Sequence, residues 1–173
     1  MDTYYTIEEK YLQAVDELSF GETPKALNLL NAIIADDATY ARAHHQLGKL
    51  YYYDLQDYQT AGFHFKTCME LEPLFPDNYF HYLSLVVFLK MDRLVTAVAA
   101  KALATPGVDA ASAYALLGLY AEQNRQWAKA LQAYQNAYME ATDKTERDES
   151  EEAIDRVKEK MQQSLTYRYT LSG

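Results

Sequence analysis

His44-His45-Gln46-Leu47-Gly48-Lys49-Leu50-Tyr51, then Ala61-Gly62-Phe63-His64-Phe65 and then Pro73, is the stretch whose spacing decides the fold. Gly48 and Ala61 are small residues placed where two helices of a hairpin cross, and a larger side chain at either would hold the helices apart. Tyr51 and Phe65 fill the space beside that crossing. Leu47-Gly48 returns 70 residues later in Tyr114-x2-Leu117-Gly118, followed again by an alanine and a ring, Ala130-x3-Tyr134. Alanines early in each second helix fall at Ala26, Ala61, Ala97 and Ala130, with steps of 35, 36 and 33. A recurrence near 34 residues, each unit a helix–turn–helix, marks a repeat architecture in which each unit packs on its neighbours.

Helix signals dominate and no stretch sustains the alternation of a strand. The pattern predicts helices over 5–19, 23–35, 39–54, 57–71, 77–90, 93–105, 110–123, 127–141 and 147–167. Thr23-Pro24 reads as a threonine cap followed by a proline already set at helical φ, and Gly21 suits the end of the preceding helix. Asp57, Asp77 and Asp109 are placed to cap the helices that follow them. Short connectors force neighbouring helices to pack antiparallel.

The quoted unit resembles the tetratricopeptide repeat, with His44 at the usual tryptophan position and one extra residue in the turn. The fourth unit matches as Tyr114-x2-Leu117-Gly118 and Ala130-x3-Tyr134, with Trp127 in the turn and Ala137 beyond. The first keeps Gly21, Ala26 and Leu30, and the third, Ala97-x3-Lys101, has a lysine at the aromatic position. The resemblance implies an all-α, right-handed solenoid of about four hairpins in a single domain, with repeats near 5–36, 39–73, 77–106 and 110–141. A polar run over 143–152 precedes Ile154, Val157, Met161 and Leu165, spaced 3, 4 and 4. That is an amphipathic helix with one narrow apolar stripe, expected over 147–167 as a cap on the last hairpin.

With 16 basic against 25 acidic residues, the net charge of −9 disfavours nucleic acid, whose phosphates need a basic face. No apolar run approaches the roughly 20 residues that span a bilayer, so no membrane partner is expected. The start carries acidic residues where a signal peptide needs a basic one, and a single cysteine rules out an internal disulfide; both fit a cytoplasmic protein. There is no phosphate loop, nucleophile elbow or zinc-binding His-Glu-x-x-His, so the chain reads as a non-enzyme with no cofactor and no metal. Cys68 reads as a small buried hydrophobe. His44 and His45 point about 100° apart on one helix and cannot easily share a metal, and His44 and His81 read as packing groups.

What remains is a surface. In such solenoids the first helices of the units line a concave face. The candidate peptide-binding residues there are Arg42, His45, Gln46, Lys49, Tyr52 and Tyr53, joined by Tyr79 and Tyr82 of the third unit. Ser112, Ala115, Leu119 and Glu122 continue that face in the fourth unit. Tyrosines bring contact area and a polar tip at little entropic cost, and Arg42 and Lys49 could pair with a carboxylate. Tyr51, Tyr58, Tyr114, Tyr134 and Tyr138 read as packing between helices. The expected function is binding an extended peptide or short helix, as an adaptor or assembly factor acting as monomer or weak homodimer. Two alternatives are a small acidic secretion-type chaperone and a structural protein that self-associates through the N-terminal hairpin, with Tyr4, Tyr5, Ile7 and Tyr11 as exposed contacts, or through the stripe of the last helix. A further expectation is that the Thr166–Gly173 tail imitates a ligand.

Overall fold

The computed structural model describes the backbone of residues 6–171 and the side chains of residues 6–165. Tyr4, Tyr5 and the side chains of the Thr166–Gly173 tail lie outside the described residues. The described chain is all α: α1 (Ile7–Ser19), α2 (Thr23–Asp36), α3 (Ala41–Lys49), α4 (Tyr58–Leu71), α5 (Asp77–Phe88), α6 (Asp92–Ala104), α7 (Ala110–Gln123), α8 (Trp127–Glu140) and α9 (Lys144–Leu171). Between α3 and α4 runs one π-helical turn, Leu50–Asp54. The helices group into two compact units, the first ending at Leu85 and the second beginning at Val86.

In the first unit the hairpins α1–α2 and α3–α4 close on Ala14, Leu30, Ile33, Ala43, Leu47 and Leu50, all buried. Ile7 and Tyr11 pack against this cluster rather than standing out as contacts for a second copy. The exposed apolar residues of the first hairpin are instead Leu12, Val15 and Phe20. Thr6 starts α1 by accepting the Glu9 N–H at 3.2 Å, while the Thr6 N–H donates to the Glu9 carboxylate at 2.7 Å. Asp57 and Asp109 cap α4 and α7 as expected, accepting the N–H of Thr60 and of Ser112. Two expected caps move by one position. Thr23 is the first residue of α2 and Glu22 the cap; Asp77 lies inside the first turn of α5.

Left-handed residues carry the repeat more regularly than the alanines do. Gly21, Gln56, Lys90 and Arg125 have φ of 77°, 54°, 54° and 55°. Each immediately precedes the cap of a second helix: Glu22, Asp57, Met91 and Gln126, with steps of 35, 34 and 35. Three of these turns close identically. The Gly21 and Glu22 N–H groups reach Leu18 and Glu17, those of Lys90 and Met91 reach Val87 and Val86, and those of Arg125 and Gln126 reach Glu122 and Ala121. This pairing satisfies the last carbonyls of a helix around one left-handed residue.

That register corrects the third repeat. Counted from the cap, the counterparts of Ala61 and Phe65 are Val95 and Ala99, both buried, whereas Ala97 and Lys101 are exposed. The lysine therefore does not replace an aromatic. A small Ala99 stands at that place, and because α6 has alanines on several faces, alanine spacing does not mark its register.

The extra residue of the second repeat is also placed differently from expectation. Gly48 lies eight residues before left-handed Gln56, and Gly118 seven before Arg125; both turns then run nine residues to the ring, Phe65 or Tyr134. The additional residue is absorbed in the helix, not in the turn. The Leu55 N–H bonds the Leu50 carbonyl five residues back, at 3.0 Å. The glycine–ring contact pins the hairpin on both sides, so an insertion between them has only the helix end in which to go.

In the second unit α7, α8 and α9 enclose Ala121, Ala130, Tyr134, Ala153 and Val157. The stripe of α9 faces this core, with Val157 fully buried and Ile154 and Met161 packed beside it. It acts as the expected cap, although α9 begins at Lys144, where Asp143 accepts the Glu146 N–H at 3.0 Å.

Candidate functional site

Contact between a ring and a glycine sets the helix spacing from which the surfaces follow. A Cβ built on Gly48 would meet the Phe65 ring at 2.6 Å, and one on Gly118 would meet the Tyr134 ring at 2.6 Å. No side chain fits there, so the ring of the second helix lies directly on the backbone of the first.

Around Phe65 the first unit gathers His45 and His81, while His44 and His64 pair beside Phe63. His44 Nδ1 and His64 Nδ1 share a hydrogen bond of 2.9 Å, His44 Nε2 bonds the Ala38 carbonyl at 3.0 Å, and Tyr51 stacks on His64. His45 Nδ1 bonds the Asn78 side-chain oxygen at 3.3 Å, and Asn78 donates to the Phe65 carbonyl at 2.9 Å. Burial holds His45 and His64 neutral, lowering each to about 4; His81, lowered to about 4 by the same cause, also feels the charge of Lys49. Adjacent His44 and His45 thus serve different partners. Cys68 is buried, which pushes its thiol up to about 12 and leaves it unreactive. Among the described residues no three metal-ligating side chains converge.

The candidate binding residues separate into three groups. His45, Tyr79 and Tyr82 are buried, a correction to the expectation that they face a ligand. Tyr79 donates to the Pro73 carbonyl at 2.7 Å, and the Tyr82 ring lies 6.1 Å from that of Phe65. Position on a first helix sets which face a residue shares and does not show how deeply α5 is buried. Arg42 is exposed but lines a cleft with Glu8, Asp37 and Glu72, so its charge stands among three carboxylates rather than in a positive patch. It is also two helical turns, about 10 Å, from Lys49.

The third group does come together. Gln46 reaches the Tyr11 hydroxyl at 3.5 Å. Lys49 is half-buried, close enough to His45 and His81 to act on both electrostatically. Tyr53, 48% exposed, shares a hydrogen bond of 2.8 Å with His81 Nδ1 on α5, and the Tyr52 and Tyr53 rings lie 4.5 Å apart. Tyr52 also meets the edge of Phe65 at 6.5 Å. The site is thus the face of α3, its π turn and α5 carrying Gln46, Lys49, Tyr52, Tyr53 and His81. His81 was read as packing alone, and its pairing with Tyr53 had no sequence signal.

The second unit presents a different surface. Glu122, expected on an open inner face, is buried and saturated. Arg156 donates to both its oxygens at 2.9 Å, Lys160 to Oε1 at 2.6 Å and the Tyr134 hydroxyl to Oε2 at 2.9 Å. These bonds, led by Arg156, hold the Glu122 carboxyl down at about 2. Arg156 and Lys160 also lie over the Tyr134 and Trp127 rings. Ser112, Ala115 and Leu119 line an open cleft between α7 and α9.

No protein-family model and no curated protein sequence matches the chain. Solved structures do. The MamA fragment 41-end from Desulfovibrio magneticus RS-1 superposes with a TM-score of 0.69 over 88% of this chain and 93% of that one, at 20% identity. Another MamA structure gives 0.68 over 93% and 94%, at 19% identity. PilW, described as a widely conserved type IV pilus biogenesis factor, gives 0.65 over 88% and 78%, at 16% identity. The likeness, with the repeat register above, establishes an all-α helical-repeat fold of tetratricopeptide type. Among the described residues no helix is long and apolar enough to cross a membrane.

Proposed function

We propose that this chain is a non-catalytic protein-interaction module in which the Lys49–Tyr53–His81 face holds an extended or helical segment of a partner, as an adaptor or assembly factor. The observation that carries this reading is Tyr53. A π turn ends the first helix of the second hairpin, where the matched helix of the fourth hairpin stays α-helical. Tyr53 stands half-exposed on that turn, fixed by His81 and flanked by Lys49. A preorganised aromatic with a polar tip beside a cation suits recognition of an apolar segment bearing a carboxylate. The description of PilW as a biogenesis factor agrees with an assembly role. Co-precipitation from native cell extract is expected to recover a partner with wild type and lose it with Lys49→Glu/Tyr53→Ala. Equal recovery by both would remove this face from the account.

A second reading is self-association. Leu12 and Phe20 of the first hairpin are 60% and 76% exposed. It predicts a mass that rises with concentration in light scattering and stays monomeric in Leu12→Glu/Phe20→Glu.

A further inference from the structure

The cleft between α7 and α9 lies in the second unit and is independent of the face just described. It is open, has a volume of about 350 Å³, and has two unlike sides. From α7 come Ala111, Ser112, Ala115 and Leu119, a shallow floor of small side chains with Leu119 the most prominent at 40% exposed. From α9 come Glu146, Glu149, Glu152 and Arg156, at steps of 3, 3 and 4, and so in one row along the helix.

The charge of that row is not balanced from within. Its one cation, Arg156, spends its guanidinium on Glu122 beneath the cleft. Glu146 accepts from the Thr142 backbone at 2.8 Å yet keeps its negative charge at one end. Glu149 and Glu152 are exposed on the wall.

We infer that this cleft binds a lysine- or arginine-bearing segment of a partner protein. A long cationic side chain matches both surfaces at once, its aliphatic stem lying on the alanine and leucine floor and its head reaching the carboxylate row. A bulky aromatic would find no depth, and an acidic segment would meet three like charges. A second copy of this chain is a poor occupant, since it carries 16 basic against 25 acidic residues. The acidic row also draws a cationic segment in from solution, so association is faster at low salt.

The test is fluorescence anisotropy on the full chain with a labelled peptide of repeating Lys-Ala-Ala-Leu units, beside its Glu-Ala-Ala-Leu counterpart. Wild type is expected to bind the lysine peptide saturably and the glutamate peptide not at all. Glu149→Lys/Glu152→Lys should weaken binding about tenfold. Ala115→Arg, which fills the floor and adds a like charge, should weaken it comparably. Glu140→Lys/Glu159→Lys makes the same change of net charge away from the cleft and should leave binding within about twofold. Circular dichroism of each variant separates lost binding from lost folding. Equal weakening by both charge-reversed pairs would reduce the effect to bulk charge and overturn the site, as would absence of saturable binding by wild type.

Discussion

The hairpins α3–α4 and α7–α8 share one device and are braced by opposite chemistry. In each, an aromatic ring lies on a glycine too tightly for any Cβ. Beside Phe65, which has no hydroxyl, stand neutral histidines and the edge of Tyr52. Beside Tyr134, whose hydroxyl needs a partner, stand buried Glu122 and the two cations of α9 that neutralise it. The ring–glycine contact is therefore common to these two hairpins, and whatever surrounds it is open to specialisation. In the first unit that freedom yields a π turn and a tyrosine–histidine surface. In the second it yields a latch for the last helix, leaving the rest of α9 to form an acidic wall.

Breaking the latch should have the largest effect. Glu122→Ala strands Arg156, Lys160 and the Tyr134 hydroxyl around a buried site and is expected to cost about 2–3 kcal/mol in urea unfolding. This lies below the figure for a fully buried pair because both cations reach solvent. A loss under about 0.5 kcal/mol would make the cluster ornamental.

Removing the shared device tests the common half of the comparison. Gly48→Ala and Gly118→Ala should each cost about 1–2 kcal/mol, since the obstacle is a ring held in a core rather than the end of a flexible chain. Gly62 is the control. A Cβ there meets only Leu85 at 3.7 Å, so Gly62→Ala should be neutral or add about 0.5 kcal/mol through helix propensity. Equal effects at all three positions would deny the contact its role.

The smallest stability effect concerns the π turn. Deleting Asp54 removes the extra residue and leaves the segment from Gln56 to Phe65 untouched. The shortened α3 should continue as α-helix into a turn like that at Arg125, with helicity unchanged by circular dichroism and stability within about 1 kcal/mol. Unfolding on deletion would show that the turn is needed for packing and is not an absorbed insertion.

Much of this is legible in the sequence alone. Leu47-Gly48 and Leu117-Gly118 expose the repeat because only small residues tolerate a crossing ring, and Asp57 and Asp109 announce their helices because capping is local chemistry. The third repeat misled because alanine is common on every face of α6. The left-handed Lys90 that sets the true register carries no residue-type signal. The site was half legible. Lys49, Tyr52 and Tyr53 share a helix face that periodicity reveals, whereas burial of Tyr79 and Tyr82, the Tyr53–His81 pair and the carboxylates around Arg42 depend on other helices. Glu122 looked like the end of an open face because its three partners lie 12, 34 and 38 residues away.

The contrast between the two braces can be read most directly from opening free energies measured by hydrogen exchange across pH. Folded His45, His64 and His81 stay neutral down to about 4, whereas their unfolded forms take up protons below 6.5. Their stabilisation is complete above 6.5 and is lost as the pH falls towards 4. Glu122, held near 2 against 4.5, keeps its contribution above 4.5 and loses it only between 4.5 and 2. Between pH 7 and pH 5, α3 and α4 are therefore expected to lose protection while α7, α8 and α9 keep theirs. Loss in α7–α9 first, or the same loss in both units over that interval, would contradict the account.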